Sequence, residues 1–113
     1  MERMERVNAQ IKRDIGYIIQ EELSDPRLMF VSITHVITSK DLRSARVYFS
    51  VLGEKSQIEL AGKSLEKAKH VIRRELGARL KMRFVPELNF LYDESIEYGA
   101  RMDAKLREIE DES

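Results

Sequence analysis

The feature that most limits the fold of this chain is a change in apolar spacing, from the helical period to the strand period. Residues 4–23 carry one apolar stripe at intervals of three and four, which predicts a helix of about five turns. Residues 29–38 and 45–51 then alternate apolar and polar side chains, which predicts two strands. Because a short polar turn separates these two runs, we expect them to form an antiparallel hairpin.

Two local signals refine this first half. Residues 24–26 read Ser-Asp-Pro and should end the first helix near Leu23, because the proline lacks a backbone donor and disfavours helical geometry in the residue before it. In the first strand the alternation places His35 among the inward residues, although Val36 interrupts the pattern. We therefore expect His35 to be a packed, hydrogen-bonded side chain rather than a metal ligand.

The second half predicts further helices and a third strand. Residues 57–67 and 69–80 each have helical apolar spacing; they form either two helices with a bend near Ala68 or one continuous helix. Gly77 indicates close packing or an early helix end, since glycine is a poor helix former. Leu88, Phe90 and Tyr92 share one face of a third strand, and Ser95 is a candidate N-cap for a short last helix. The order α-β-β-α-α-β predicts an α+β domain whose three-stranded sheet is covered by helices on one face.

Composition excludes several classes of protein. A chain of 113 residues allows one domain, and the absence of cysteine rules out disulfides and thiolate metal sites. No apolar run approaches the ~18 residues of a membrane span, and the first seven residues are too charged for a secretory signal. Nucleophile and phosphate-loop motifs are missing. We therefore expect a cytoplasmic protein that is not an enzyme, with no cofactor, metal, membrane or small-molecule substrate.

The charges cancel in total but are segregated along the chain. There are twenty basic and twenty acidic residues. Residues 63–83 contain eight basic and two acidic side chains, a local charge of +6, whereas residues 87–113 contain nine acidic and three basic ones, a local charge of −6. Because a polyanion responds to the field of one face, the basic segment is a candidate nucleic-acid surface despite the neutral total.

Short sequence segments, in one order across residues 3–102, resemble the ribosome-binding factor A family. They are Arg6-Val7, Glu22-Leu23-Ser24-Asp25-Pro26-Arg27, Val31-Ser32-Ile33-Thr34, Ser39-Lys40-Asp41-Leu42, Ala45-Arg46-Val47-Tyr48, Arg83-Phe84-Val85-Pro86-Glu87-Leu88-Asn89-Phe90 and Asp93-Glu94-Ser95. The resemblance implies a type II KH-like fold. It also implies a partner, the free 30S ribosomal subunit with its 16S rRNA, and a role in late subunit maturation, 16S rRNA processing near the 5′ end and growth in the cold.

The charge pattern and the resemblance together suggest domain limits and an interface. We expect one monomeric KH-like RNA-binding domain over residues 1–107 and a disordered acidic tail over 108–113. The family replaces the GXXG loop of ordinary KH domains by an interhelical kink, which aligns here with Ala68, while His70 stands where a small glycine is usual. The predicted rRNA-binding residues are Lys63, Lys67, Lys69, His70, Arg73, Arg74, Arg79, Lys81 and Arg83, flanked by Arg6 and Arg13 of the first helix.

Two further interpretations concern specificity and class. On a helix Lys63, Lys67 and Arg74 share one face, whereas Lys69 and Arg73 lie about a quarter-turn or more away. Phe49 and Phe90 are expected in the core, which leaves Tyr17 and Tyr48 as the exposed aromatics. Specificity is therefore expected to come from the shape of the immature subunit. The alternative function is a protein-interaction adaptor whose basic helices contact an acidic protein surface without touching RNA.

Overall fold

A computed structural model describes residues 3–82 and 84–95 of the chain. The helix α1 (Arg3–Tyr17) continues into a π-helical turn (Ile18–Glu22), and a 3-10 turn (Pro26–Leu28) leads into the sheet. The remaining elements are β1 (Val31–Thr38), β2 (Ser44–Val51), α2 (Lys55–Leu80) and β3 (Glu87–Tyr92). The first helical segment ends at its cap residue Leu23, as predicted, and Ser24 follows with a φ of 49°.

The sheet has the order β1-β2-β3, with β2 in the centre. Strand β2 runs antiparallel to β1, which confirms the predicted hairpin, and parallel to β3, which α2 makes possible by carrying the chain back along the sheet. Helix α1 packs on β1, and α2 packs on β2 and β3. The predicted α+β architecture is confirmed.

The core lies between the two helices and one face of the sheet. Each helix contributes a stripe at intervals of three and four, and the central strand contributes every second residue. The fully buried apolar side chains are Ile11, Ile15, Ile18, Val47, Ala61, Leu65, Ile72, Leu76 and Leu88. Phe49 is also buried and Phe90 packs against this cluster, as predicted.

Residues 55–80 form one continuous helix, so the prediction of two separate helices is corrected. The helix is not interrupted at Ala68, the residue predicted to form an interhelical kink. No glycine or proline occurs between residues 63 and 76, and alanine is the strongest helix former. Ala61, Leu65, Ile72 and Leu76 make a single buried stripe along it, which gives the chain no reason to break the helix there.

His35 is exposed, so its predicted inward position is wrong. Ile33 pairs with Phe49 and His35 pairs with Tyr48, so Thr34 is the additional residue of a β-bulge. A bulge moves all following side chains to the opposite face of the sheet. Val36 and Thr38 are consequently buried, while the imidazole of His35 lies on the outer face beside the ring of Tyr48, with 6.0 Å between ring centroids.

Gly77 marks close packing rather than an early helix end. A Cβ atom at position 77 would lie 2.7 Å from Cγ2 of Val85, so only a residue without a side chain allows this approach. The helix continues for three more residues and is capped by Lys81, whose N–H donates to the carbonyl of Gly77. The segment before β3 is therefore held directly against the end of α2.

Candidate nucleic-acid interface

Four predicted site residues form a row along the outer face of α2. Lys63, Lys67, His70 and Arg74 are spaced by four, three and four residues and are all exposed. The opposite face of the same helix carries the buried Leu65, Ile72 and Leu76. At 1.5 Å per residue the row is about 16 Å long. We call these four residues the basic row.

The side chains of the basic row are available to a ligand. Within the described ranges 3–82 and 84–95, no hydrogen bond or ion pair engages Lys63, Lys67 or His70. Arg74 has one long contact, 3.7 Å from Nε to Oε1 of its neighbour Glu75, and stays largely exposed. An exposed ion pair of this kind contributes little free energy, so it would not compete strongly with a phosphate.

Two other predicted cations are engaged by the protein itself. Nζ of Lys69 lies 2.8 Å from a carboxylate oxygen of Glu66. Arg73 donates from Nη2 to the carbonyl of Val85 at 2.8 Å and from Nε to the carbonyl of Pro86 at 3.2 Å. These residues lie to the side of the basic row, as their spacing predicts, and a phosphate would have to displace their partners.

Arg79 connects the ends of the two helices. Its Nη2 donates to Oε1 of Glu22 at 2.5 Å, and its guanidinium lies over the ring of Tyr17, 4.2 Å from the centroid. The hydrogen bond from Arg79 to the Glu22 carboxylate is the main reason that the pKa of Arg79 is raised above its usual value. Arg79 thus stabilises the packing of α2 on the first helical segment through these two contacts.

The remaining predicted residues lie beyond α2. Arg6 and Arg13 are exposed on α1, seven residues apart and therefore on one face. Arg13 precedes Tyr17 by one turn, so this face continues to the Arg79 contact. Arg83 lies outside the described residues, as does most of the helix predicted after Ser95, together with the predicted tail 108–113.

Lys81 follows α2 in the left-handed conformation, with φ 53° and ψ 31°. This geometry costs a residue with a side chain about 1–2 kcal/mol, and glycine is the common occupant of such helix ends. Lys81 is exposed, seven residues beyond Arg74. It continues the basic row past the end of the helix.

We predict that Lys81→Gly stabilises the fold. Relief of the left-handed strain should raise the free energy of unfolding by about 0.5–1 kcal/mol, after allowance for the greater entropy of glycine in the unfolded chain. Urea denaturation measures this change. Lys81→Ala is the matched control, because it removes the same charge and keeps the strain. Equal stability of the two variants would contradict the geometry given for Lys81.

A groove with an exposed aromatic residue lies beside the end of α2. Its volume is about 670 Å³, and it is lined by Asp41, Leu42, Arg43, Arg73, Met82, Phe84 and Val85. The side chain of Phe84 is 73% exposed. Sequence analysis missed this residue, because only Tyr17 and Tyr48 were considered as exposed aromatics. The available signal was its position between Lys81 and Pro86, outside any apolar periodicity.

The end of β3 is fixed on the open face of the sheet by Asp93. Its carboxylate accepts hydrogen bonds from the backbone N–H and hydroxyl of Ser95 and, at 2.6 Å, from the hydroxyl of Thr34 in the β-bulge. The Ser95 hydroxyl is the largest cause of the lowered pKa of Asp93, followed by Thr34. Because residues 94 and 95 are already helical, Asp93 rather than Ser95 is in the capping position.

The lowered pKa of Asp93 predicts a specific pH dependence. A carboxyl whose pKa is lower in the folded than in the unfolded state stabilises the fold above its unfolded pKa, about 4, and loses this contribution as the pH falls through the folded pKa. Wild type should therefore be more stable than Asp93→Asn near neutral pH, and the difference should shrink in acid. Urea denaturation over a pH series tests this, and a constant difference would contradict it.

No group of three or more His, Cys, Asp or Glu side chains within 3–82 and 84–95 could hold a metal ion. None of the helices in those same ranges combines the length and apolar character needed to cross a membrane.

Comparison with known proteins gives consistent matches. The family model described as ribosome-binding factor A matches residues 3–106. A ribosome-binding factor A from Staphylococcus carnosus is 44% identical over 107 residues, which cover 95% of this chain and 93% of that one.

Solved structures match as well. The crystal structure of ribosome-binding factor A from Thermus thermophilus has a TM-score of 0.73 and 33% identity, covering 80% of this chain and 97% of that one. A second match is a Thermus thermophilus homology model fitted into a cryo-EM map of a 30S complex. It has a TM-score of 0.66 and 34% identity, covering 77% of this chain and 91% of that one. The KH-like fold expected from the sequence is confirmed by these matches.

Proposed function

The chain belongs to the ribosome-binding factor A family, and on this premise we propose that it binds the free 30S ribosomal subunit through its 16S rRNA. There it assists late maturation of the subunit, including processing of the rRNA near its 5′ end, as a monomer in the cytoplasm. The fitted Thermus thermophilus complex, in which a relative is bound to the 30S subunit, supports the choice of partner.

The observation that carries this proposal is the basic row. It presents Lys63, Lys67 and Arg74, with His70 between them, on the outer face of α2. The full chain is neutral in total, so a high overall positive charge is not the source of attraction. A line of cations on one rigid helix instead gives a local field that attracts a phosphate backbone. Because phosphates carry no sequence information, these contacts position the protein on the rRNA.

The first experiment is sedimentation of a cell lysate through a sucrose gradient at moderate salt, with detection by immunoblot. We expect the protein to migrate with free 30S subunits and to be absent from 70S ribosomes and polysomes. If the protein stays at the top of the gradient even at low salt, the proposed function is wrong. Treatment of the complex with ribonuclease separates the alternative adaptor function, since a complex held by protein contacts alone would survive it.

A second measurement tests the electrostatic mechanism with purified protein and 30S subunits. The three cations of the basic row and Lys81 can neutralise about four phosphates. The logarithm of the binding constant should then fall against the logarithm of salt concentration with a slope of about −3. A slope near zero would contradict binding through phosphates.

A further inference from the structure

We propose that the groove at Phe84 receives one unpaired base of the bound rRNA, which stacks on the phenyl ring. This inference rests on the proposed function. It adds to rRNA binding a contact that distinguishes single-stranded from double-stranded RNA. The basic row can hold a backbone of either kind, because it contacts phosphates only. A base, in contrast, reaches an aromatic ring only where the strand is unstacked and open.

The groove is continuous with the surface proposed to hold the backbone. Three segments build it: the β1–β2 turn with Leu42 and Arg43, helix α2 with Arg73, and the segment before β3 with Met82, Phe84 and Val85. Met82 directly follows Lys81, where the line of cations ends. The volume of the groove, about 670 Å³, lies in the range of ~300–1,000 Å³ typical of ligand sites. A strand that follows the basic row therefore arrives at Phe84.

The segment that carries Phe84 is held against helix α2. Arg73 binds the carbonyls of the next two residues, Val85 and Pro86, at 2.8 and 3.2 Å. Gly77 lets Val85 approach α2 to a distance that a side chain would prevent. The ring is thus 73% exposed on a backbone that is hydrogen-bonded to the helix. Such preorganisation lowers the entropic cost of binding.

The charges around the groove suit a nucleotide. Arg43 lines it and Lys81 lies next to it, so a phosphate attached to the stacked base meets cations. Arg73, whose guanidinium stays bound to the carbonyls of Val85 and Pro86, adds positive charge to the wall. Its acidic lining residue, Asp41, is exposed but already engaged: its carboxylate accepts from the Ser39 hydroxyl at 2.6 Å and from the Arg43 backbone N–H at 3.1 Å. It also lies 3.9 Å from Nε of the exposed Arg43, a long surface contact that contributes little free energy. An apolar ring surrounded by cations is the arrangement of single-strand binding surfaces.

Backbone strain supports the same location. Leu42, in the wall of the groove, has a φ of 62°, and Lys81 at its edge has a φ of 53°. Side chains disfavour this conformation, and residues that hold it tend to cluster at binding sites. Two of the three non-glycine residues with positive φ in the described ranges thus flank the groove.

Phe84→Ala tests the contact, and Phe30→Ala is its matched control. Phe30 is also exposed, at 55%, but it lies between the 3-10 turn and β1, where Met29 and Leu52 are its neighbours. The arginine that lines a cavity with it, Arg27, is paired with Asp25 at 3.0 Å. We expect F84A to weaken binding of a short unstructured RNA by about 5- to 100-fold, the range found when a stacked base loses its aromatic partner. F84Y and F30A should bind like wild type, and a duplex of equal length should not distinguish these proteins.

Fluorescence supplies a direct readout, because the chain contains no tryptophan. F84W introduces a single reporter in the groove, and F30W introduces one at the control position. Stacking of a base should quench the emission of F84W when unstructured RNA is added. The duplex should leave it unchanged, and F30W should respond to neither.

The outcomes separate this inference from the proposed function. If wild-type protein binds neither RNA nor 30S subunits, the proposed function fails. If wild type binds but F84A binds unstructured RNA equally well, or if F84W is not quenched, only the stacking inference fails. Loss of 30S binding by F84A with unchanged binding of unstructured RNA would mean that a ribosomal protein occupies the groove, and this also overturns the inference.

Discussion

Replacing Lys67 and Arg74 together by glutamate should weaken binding to the free 30S subunit by about 100-fold or more at moderate salt. Each residue is exposed in the basic row, and each substitution replaces an attractive contact with a repulsive one. A hydrogen bond to a charged group contributes about 1.5–3 kcal/mol, so the loss of two such contacts gives this magnitude. The salt slope should also become shallower by about two. Titration of labelled 30S subunits over a series of salt concentrations measures both.

The matched control reverses two cations elsewhere. Arg46 is exposed on the outer face of the sheet, and Lys55 is exposed in the first turn of α2, away from the basic row. The R46E/K55E variant has the same change in total charge and should keep near-normal affinity. Both double variants should melt within about 2 °C of wild type, because exposed substitutions usually change stability by no more than about 0.5 kcal/mol. Equal loss in the two variants would indicate an effect of total charge, and unchanged binding of K67E/R74E would remove the basic row from the interface.

The helix, the hairpin and the third strand were predictable because each buries only one face. A face-specific burial leaves a period of about 3.6 or two in the sequence, and this is visible without knowledge of the partner element. The bulge at Thr34 was not predictable in this way. The bulge depends on the pairing of β1 with β2 and on the hydrogen bond from Thr34 to Asp93, which is 59 residues away. Neither contact leaves a trace in the apolar pattern of β1. Val36 was the local sign that the register changes.

In the candidate interface, too, local spacing was predictable from the sequence and long-range contacts were not. The common face of Lys63, Lys67 and Arg74 follows from spacing on one helix, and the structure places them there. The engagement of Arg79 by Glu22, 57 residues away, and of Arg73 by the carbonyls of Val85 and Pro86 depends on tertiary packing. Counting basic residues therefore overestimates the number of cations that are available to a ligand.

The resemblance described above implies a small glycine at the position where this chain has His70. A glycine at this position would leave a gap between Lys67 and Arg74, and it would weaken the helix by about 1 kcal/mol relative to alanine. Histidine instead continues both the helix and the basic row, and its exposed imidazole adds a hydrogen-bonding group within it. Histidine at this position is thus compatible with both the continuous α2 and the continuous row.

The rigidity of that row depends on the opposite face of α2, and Leu76→Ala tests it. Leu76 is fully buried in the core, one turn from Ile72. Truncation removes apolar contact and leaves a cavity, so we expect the free energy of unfolding to fall by about 3 kcal/mol. In a domain of this size that corresponds to a lower melting temperature by roughly 12 °C. Urea and thermal denaturation followed by circular dichroism measure the two quantities.

Leu60→Ala is the matched control for this prediction, because it makes the same chemical change on the same helix at a side chain that is 46% exposed. Less apolar surface is lost and solvent fills the space, so the expected cost is below about 1 kcal/mol. Both variants retain every cation of the basic row. L76A should therefore bind 30S subunits normally at low temperature and lose binding only as it unfolds, whereas K67E/R74E should remain folded and lose binding at every temperature. A similar cost for L60A and L76A would mean that α2 is not held on the sheet by the contacts described.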